Sequence, residues 1–154
     1  PINTMKTRNL KIFIIIGILM ISCNNEIPKA DINCSDLNEL SGAVFINEKK
    51  FSGSCFTIYD VNLEIDEIRT YKRGIRHGVW AKYHSNGFLE YQGSYKKGEI
   101  DGKYISYYNN GSLKETGRLS KGFRDGEWFL YDPNGKLIRK ELHIDKQLID
   151  YETY

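Results

Sequence analysis

Histidine is scarce in this chain, and the side-chain groupings that support catalysis are missing. Only His77, His84 and His143 occur. No two of them have metal-ligand spacing, and none has a sequence neighbour that marks it as an oriented acid or base. Glu99, Asp101, Asp125 and Glu127 recur around glycines and read as solvated turn residues rather than an acid–base pair. The sequence predicts no enzyme, no metal and no cofactor. Excess charge is also lacking. The formal net charge is +2, but Lys6, Arg8 and Lys11 sit in the first 23 residues, which hold no acid. The remainder therefore carries 19 bases against 20 acids. That balance lacks the basic footprint of a nucleic-acid binder. A long apolar run is missing as well: Ile12 to Ile21 is too short to cross ~30 Å of hydrocarbon as a helix.

What the first 23 residues do contain is ordered. A basic start precedes the apolar run, and Met20-Ile21-Ser22-Cys23 closes it before polar Asn24-Asn25-Glu26. This is the signal-peptide pattern, with Met5 the expected start. Its end resembles a bacterial lipobox, in which a small residue precedes a cysteine that becomes the lipidated N-terminus. The resemblance implies lipidation of Cys23 and a place in the cell envelope, on the outer membrane or periplasmic face of a Gram-negative host. Residues 24–43 then read as a tether, with a short helical turn from Asp36 to Leu40. Two cysteines remain, Cys34 and Cys55. They form a disulfide in an oxidising compartment, or they stay as two thiols with Cys55 filling the core; the spacing leaves both readings open.

From Val44 onward the chain repeats. Gly74, Gly98 and Gly122 are 24 apart, as are Gly78, Gly102 and Gly126. Trp80, Tyr104 and Trp128 keep the step, and so do Tyr83, Tyr107 and Tyr131. The pairs Asn86-Gly87, Asn110-Gly111 and Asn134-Gly135 follow it, and Leu89, Leu113 and Leu137 complete six columns. Such a period means a repeat architecture. Asn-Gly between aromatic-rich runs signals a hairpin with a type I′ turn. Gly-x-x-x-Gly suits a longer second turn. The expected fold is all-β: an elongated, twisted, mostly single-layer antiparallel meander over 44–148, with 149–154 as a tail. An earlier, eroded copy is visible, with Tyr59, Asn62 and Ile65 each 24 before its counterpart and Gly53 25 before Gly78. This places a one-residue insertion or deletion between Gly53 and Tyr59, and sets Cys55 or Phe56 in the Trp80 column. Gly93 and Gly117 lie mid-strand, where glycine weakens a strand, so an aromatic ring is expected over each.

These columns resemble MORN repeats (membrane occupation and recognition nexus) in their bacterial variant form. The match reads Tyr71, Gly74, Gly78, Trp80, Tyr83, Asn86, Gly87, Leu89, Gly93, then restarts at Tyr95. In the third pass Glu141 replaces the last glycine. Phe51-Ser52-Gly53 is similar to the opening of the first unit. The resemblance implies a non-enzymatic interaction or scaffold module with a protein partner, held at a membrane by its lipid. Relatives carry antitoxin-like or immunity-like labels, which is one alternative. Gly126 to Tyr131 is also similar to choline-binding, wall-binding repeats, so a glycan module is another. Lys72, Arg73, Arg76, Lys96, Lys97, Lys121 and Arg124 flank the glycine turns. They form either a cationic track for anionic lipid headgroups or a polyanion, or a charged edge that keeps the sheet soluble.

Overall fold

A computed structural model describes residues 26–154. The leader and Cys23 lie outside the described residues. The chain begins with β1 (Ile32–Asn33), a 3-10 turn (Cys34–Asp36), β2 (Asn38–Leu40), β3 (Ala43–Ile46) and β4 (Lys49–Lys50). Long strands follow: β5 (Gly53–Ile58), β6 (Ile65–Lys72), β7 (Ile75–Tyr83) and β8 (Leu89–Lys96). Then come β9 (Glu99–Ile100), β10 (Gly102–Tyr107), β11 (Leu113–Ser120), β12 (Phe123–Tyr131), β13 (Leu137–Ile144) and β14 (Gln147–Thr153). Eleven strands form one sheet in the order β1-β5-β6-β7-β8-β10-β11-β12-β13-β14, with β9 also on β8. Only β1 runs parallel to its neighbour; the rest is a meander of consecutive hairpins. The architecture is the single-layer repeat sheet that the 24-residue period predicts.

The two kinds of turn are the reverse of the sequence reading. Asn86, Asn110 and Asn134 keep ordinary φ, and only the following glycines are left-handed, at 84°, 83° and 85°. Gly87 N–H donates to His84 O, and His84 N–H to Phe88 O, which makes a three-residue loop with a bulge rather than a type I′ turn. The type I′ pairs are Arg73-Gly74, Lys97-Gly98 and Lys121-Gly122, each with positive φ at both residues. The second glycine of Gly-x-x-x-Gly is no part of a turn. Gly78 and Gly126 sit within strands and Gly102 begins one, at φ 95°, 72° and 124°, where the sheet register shifts. The motif is a tight turn followed by a bulge, two backbone events four residues apart.

Three boundaries also differ from the sequence reading. The first unit's extra residue lies in its turn, between Tyr59 and Asn62: Ile58 pairs with Ile65 as Tyr83 pairs with Leu89. Cys55 pairs with Arg69 as Trp80 pairs with Gly93, 24 residues on from Arg69, and therefore occupies the tryptophan column. Residues 32–43, read as tether, supply β1, the 3-10 turn, β2 and the start of β3. Most of 149–154 belongs to β14.

The apolar cluster at the N-terminal end explains the early order. Phe51, Cys55 and Tyr71 are buried, and Ile32, Cys34, Leu37, Val44 and Ile46 pack on them. Cys34 and Cys55 are joined by a disulfide, their Cα atoms 5.0 Å apart. The small sheet β2-β3-β4 presses on the first glycine turn, where Val44 N–H donates to Gly74 O. A Cβ on Gly74 would come within 2.9 Å of the Val44 carbonyl, so close approach as well as φ demands glycine there.

Candidate functional site

One face of the sheet carries a continuous row of rings. Alternation along each strand places Trp80, Tyr91, Tyr95, Tyr104 and Trp128 on it. Ring centroids are 5.6 Å apart for Tyr95–Trp80, 4.6 Å for Trp80–Tyr91, 6.1 Å for Tyr91–Tyr104 and 5.7 Å for Tyr104–Trp128. The mid-strand glycines make room for the row. A Cβ at Gly117 would overlap the Trp128 indole, and one at Gly93 would touch both Trp80 and Tyr104. The rings expected over these glycines are therefore present. Trp128 is 1% exposed.

Ion clusters close both ends of the row. At one end Glu67, buried, accepts from Trp80 Nε1 at 2.7 Å and Arg69 Nε at 2.8 Å, with Arg76 3.7 Å away. The Arg76 guanidinium lies over the Tyr95 ring. At the other end Arg124 stacks on Trp128, 4.1 Å from its centroid, and bridges Glu115 at 2.5 Å and Glu141 at 2.7 Å. Arg139 and His143 also reach Glu141, at 3.0 and 2.9 Å. Glu141 stands in the column of Gly93 and Gly117, so ions replace the covering ring in the last unit. Burial penalises the charged Glu141 carboxylate, yet His143, Arg124 and Arg139 outweigh it and hold its pKa below the ordinary range. Burial raises the pKa of the Tyr91 and Tyr104 phenols, aided by nearby carboxylates.

Arg76 and Arg124 therefore do not stand with the other bases of the cationic edge expected from the sequence; both are bound into the ring face. Lys72, Arg73, Lys96, Lys97 and Lys121 do lie exposed at the margin of the type I′ turns. Arg118 near the same margin pairs with Asp101 at 3.1 Å and Asp125 at 3.8 Å, so the charge there is mixed. Ile75 and Phe123 are exposed beside it.

Both margins carry a ladder between units. On the type I′ side, Gly74 N–H donates to Phe51 O, Gly98 N–H to Arg76 O and Gly122 N–H to Ile100 O. On the Asn-Gly side, Asn62, Asn86 and Asn110 each donate Nδ2–H to a carbonyl in the next turn, of Ser85, Asn109 and Pro133 respectively. Beside that ladder Tyr59, His84 and Tyr108 reach the carbonyls of Tyr83, Tyr107 and Tyr131. The sequence columns thus include backbone acceptors as well as side chains. The donor column does not show as a repeated residue, because its members, two tyrosines and a histidine, share only the ability to donate.

The two ends of the sheet differ. β5 is covered by β1, which the disulfide ties down. β14 pairs only with β13 among the described residues, and all seven of its residues are exposed. Leu148, Ile149, Tyr151 and Tyr154 stand out there as large apolar groups. Tyr151 N–H turns away from β13 and is taken by the Asp150 carboxylate at 2.8 Å. Among the described residues no group of three or more metal-ligating side chains is placed to hold an ion. No helix among them is long and apolar enough to cross a membrane.

Residues 76–97, 100–118 and 124–145 each match the MORN repeat variant family. Each match covers a hairpin closed by an Asn-Gly turn, with the type I′ turns falling between or at the ends of matches. No curated protein and no solved structure matches the chain.

Proposed function

We propose that this chain is a non-enzymatic interaction module, held to the cell envelope by lipid on Cys23, that takes a protein partner along β14. Repeats of the matched kind generally serve as binding modules, which supports the scaffold reading. The observation that carries the choice of surface is the contrast between the two sheet ends. Among the described residues the first edge is capped and the last is open, which directs strand addition to one place. Asp150 and Glu152 alternate along β14, and the fitting partner is an extended segment with bases at matching alternate positions. The ring face supports the non-enzymatic reading, because its rings contact one another and its carboxylates are paired with arginine.

The test is affinity capture of the full chain from detergent-solubilised membranes, followed by mass spectrometry of bound proteins. Two variants run alongside. Tyr151→Pro removes an amide that faces away from β13 and leaves the β13–β14 ladder in place. Cys23→Ala removes the lipid site. The proposal expects one protein lost with Tyr151→Pro, and fractionation of the parent, but not of Cys23→Ala, with membranes. A partner retained by Tyr151→Pro at parental yield places the interface elsewhere. Capture of polysaccharide without protein would turn the reading to a wall-binding module.

A further inference from the structure

Among the described residues the Asn-Gly ladder ends at Asn134, and this singles out one asparagine chemically. An Asn-Gly peptide is prone to cyclise: the glycine nitrogen attacks the asparagine side-chain carbonyl carbon. The reaction needs the side-chain amide to swing freely onto the backbone. In this fold Asn86 is held at both ends of its amide. Its Nδ2–H donates to Asn109 O at 2.6 Å and its Oδ1 accepts from Phe88 N–H at 3.3 Å. Asn110 is held by Pro133 O at 3.2 Å and by the Ser112 amide and hydroxyl at 3.0 and 2.7 Å. The same roles are vacant at Asn134. Asp132 takes over the acceptor role, its Oδ1 receiving the amides of Asn134 and Lys136 at 2.9 Å each. Among the described residues no carbonyl accepts the Asn134 Nδ2–H, and the side chain is exposed with no hydrogen bond of its own.

We infer that Asn134–Gly135 is a site of spontaneous backbone modification, by succinimide formation, while Asn86–Gly87 and Asn110–Gly111 are protected by the ladder. Gly135 N forms a bond to Asn134 Cγ as the Cγ–Nδ2 bond breaks, and ammonia leaves with the proton from the Gly135 amide. Water then opens either carbonyl of the ring, giving aspartate or isoaspartate at 134. The step consumes water, releases ammonia and needs no oxidant. The glycine amide does not discriminate between sites, since Gly87, Gly111 and Gly135 each donate to the residue three before at 2.9 Å. The difference that bears on the attack lies in how the asparagine side chain is held. The product replaces the unused donor of the ladder with a carboxylate beside Asp132.

The test is incubation of the purified full chain in mildly alkaline buffer, then peptide mapping with separation of aspartate from isoaspartate. Conversion at Asn134 should run at least about fivefold faster than at Asn86 or Asn110, the factor that one net hydrogen bond corresponds to. The same incubation in denaturant should bring the three rates together. Equal native rates, faster conversion at Asn86 or Asn110, or a preference for Asn134 that survives denaturant would each overturn the inference.

Discussion

Gly117 and Gly93 occupy the same column, yet the space above them differs. Trp128 lies directly on Gly117, whereas Trp80 and Tyr104 stand 3.4 and 3.5 Å from where a Cβ at Gly93 would be. Gly117→Ala should therefore cost about 1–3 kcal/mol, as overpacking does, and lower the melting temperature clearly. Gly93→Ala makes only ordinary contact and should melt within a few degrees of the parent. Equal effects would mean that strand propensity, not the ring, sets the cost. Leu63 is the converse case. It has φ 58° where later units have glycine, and it is 71% exposed. Leu63→Gly should stabilise by about 1 kcal/mol, the cost of left-handed backbone for an L-residue, visible as a higher urea midpoint. Glu141 sets a pH dependence. Its folded pKa is lowered, so its contribution is fully present above the ordinary carboxylate range and fades as pH falls through the lowered value. Glu141→Gln should flatten the acid limb of a stability–pH curve; an unchanged limb would show that the ion cluster contributes nothing there.

The hairpins were legible in the sequence because glycine, asparagine and tryptophan recur at fixed offsets. What was not legible is which turn is which. Asn-Gly is the usual type I′ signal, and here it serves a three-residue loop in which a side-chain Oδ1 accepts the amide after the glycine, that of the asparagine itself at Asn86 and Asn110 and that of Asp132 at the third turn. Lysine and arginine then take left-handed positions that a propensity argument would not assign them. The N-terminal cap was hidden for another reason. Its strands are two to four residues long, too short to show alternation, and their order comes from the Phe51–Cys55–Tyr71 cluster and the disulfide. That element gives its own prediction. Opening the Cys34–Cys55 bond, which spans 21 residues, should destabilise by roughly 3 kcal/mol. In hydrogen exchange, amides of 32–36 should lose protection while those of β10 to β12 keep theirs. Uniform loss across the sheet would mean that the cap and the repeats unfold as one unit.

The molecule as a whole is a row in which each unit touches only its neighbours, so its stability is close to a sum of unit and interface contributions. The fold class followed from the period; the polarity of the row did not, because the covered edge and the open edge are set by β1 and β14, segments outside the clearest repeats. The ring row and its ion clusters were only half legible. Tryptophan and tyrosine columns marked the rings, but Glu67, Arg76, Glu115 and Arg124 recur every second unit, 48 residues apart, and one period shows no such alternation. The linear strand order also determines how the protein bears load. A pull between the two ends of the sheet acts across the strands and parts the ladders one rung at a time, as a zipper opens, instead of shearing all rungs together. Extension under tension should then proceed in steps near one unit's length, about 80 Å for 24 residues, with the disulfide-tied end yielding last.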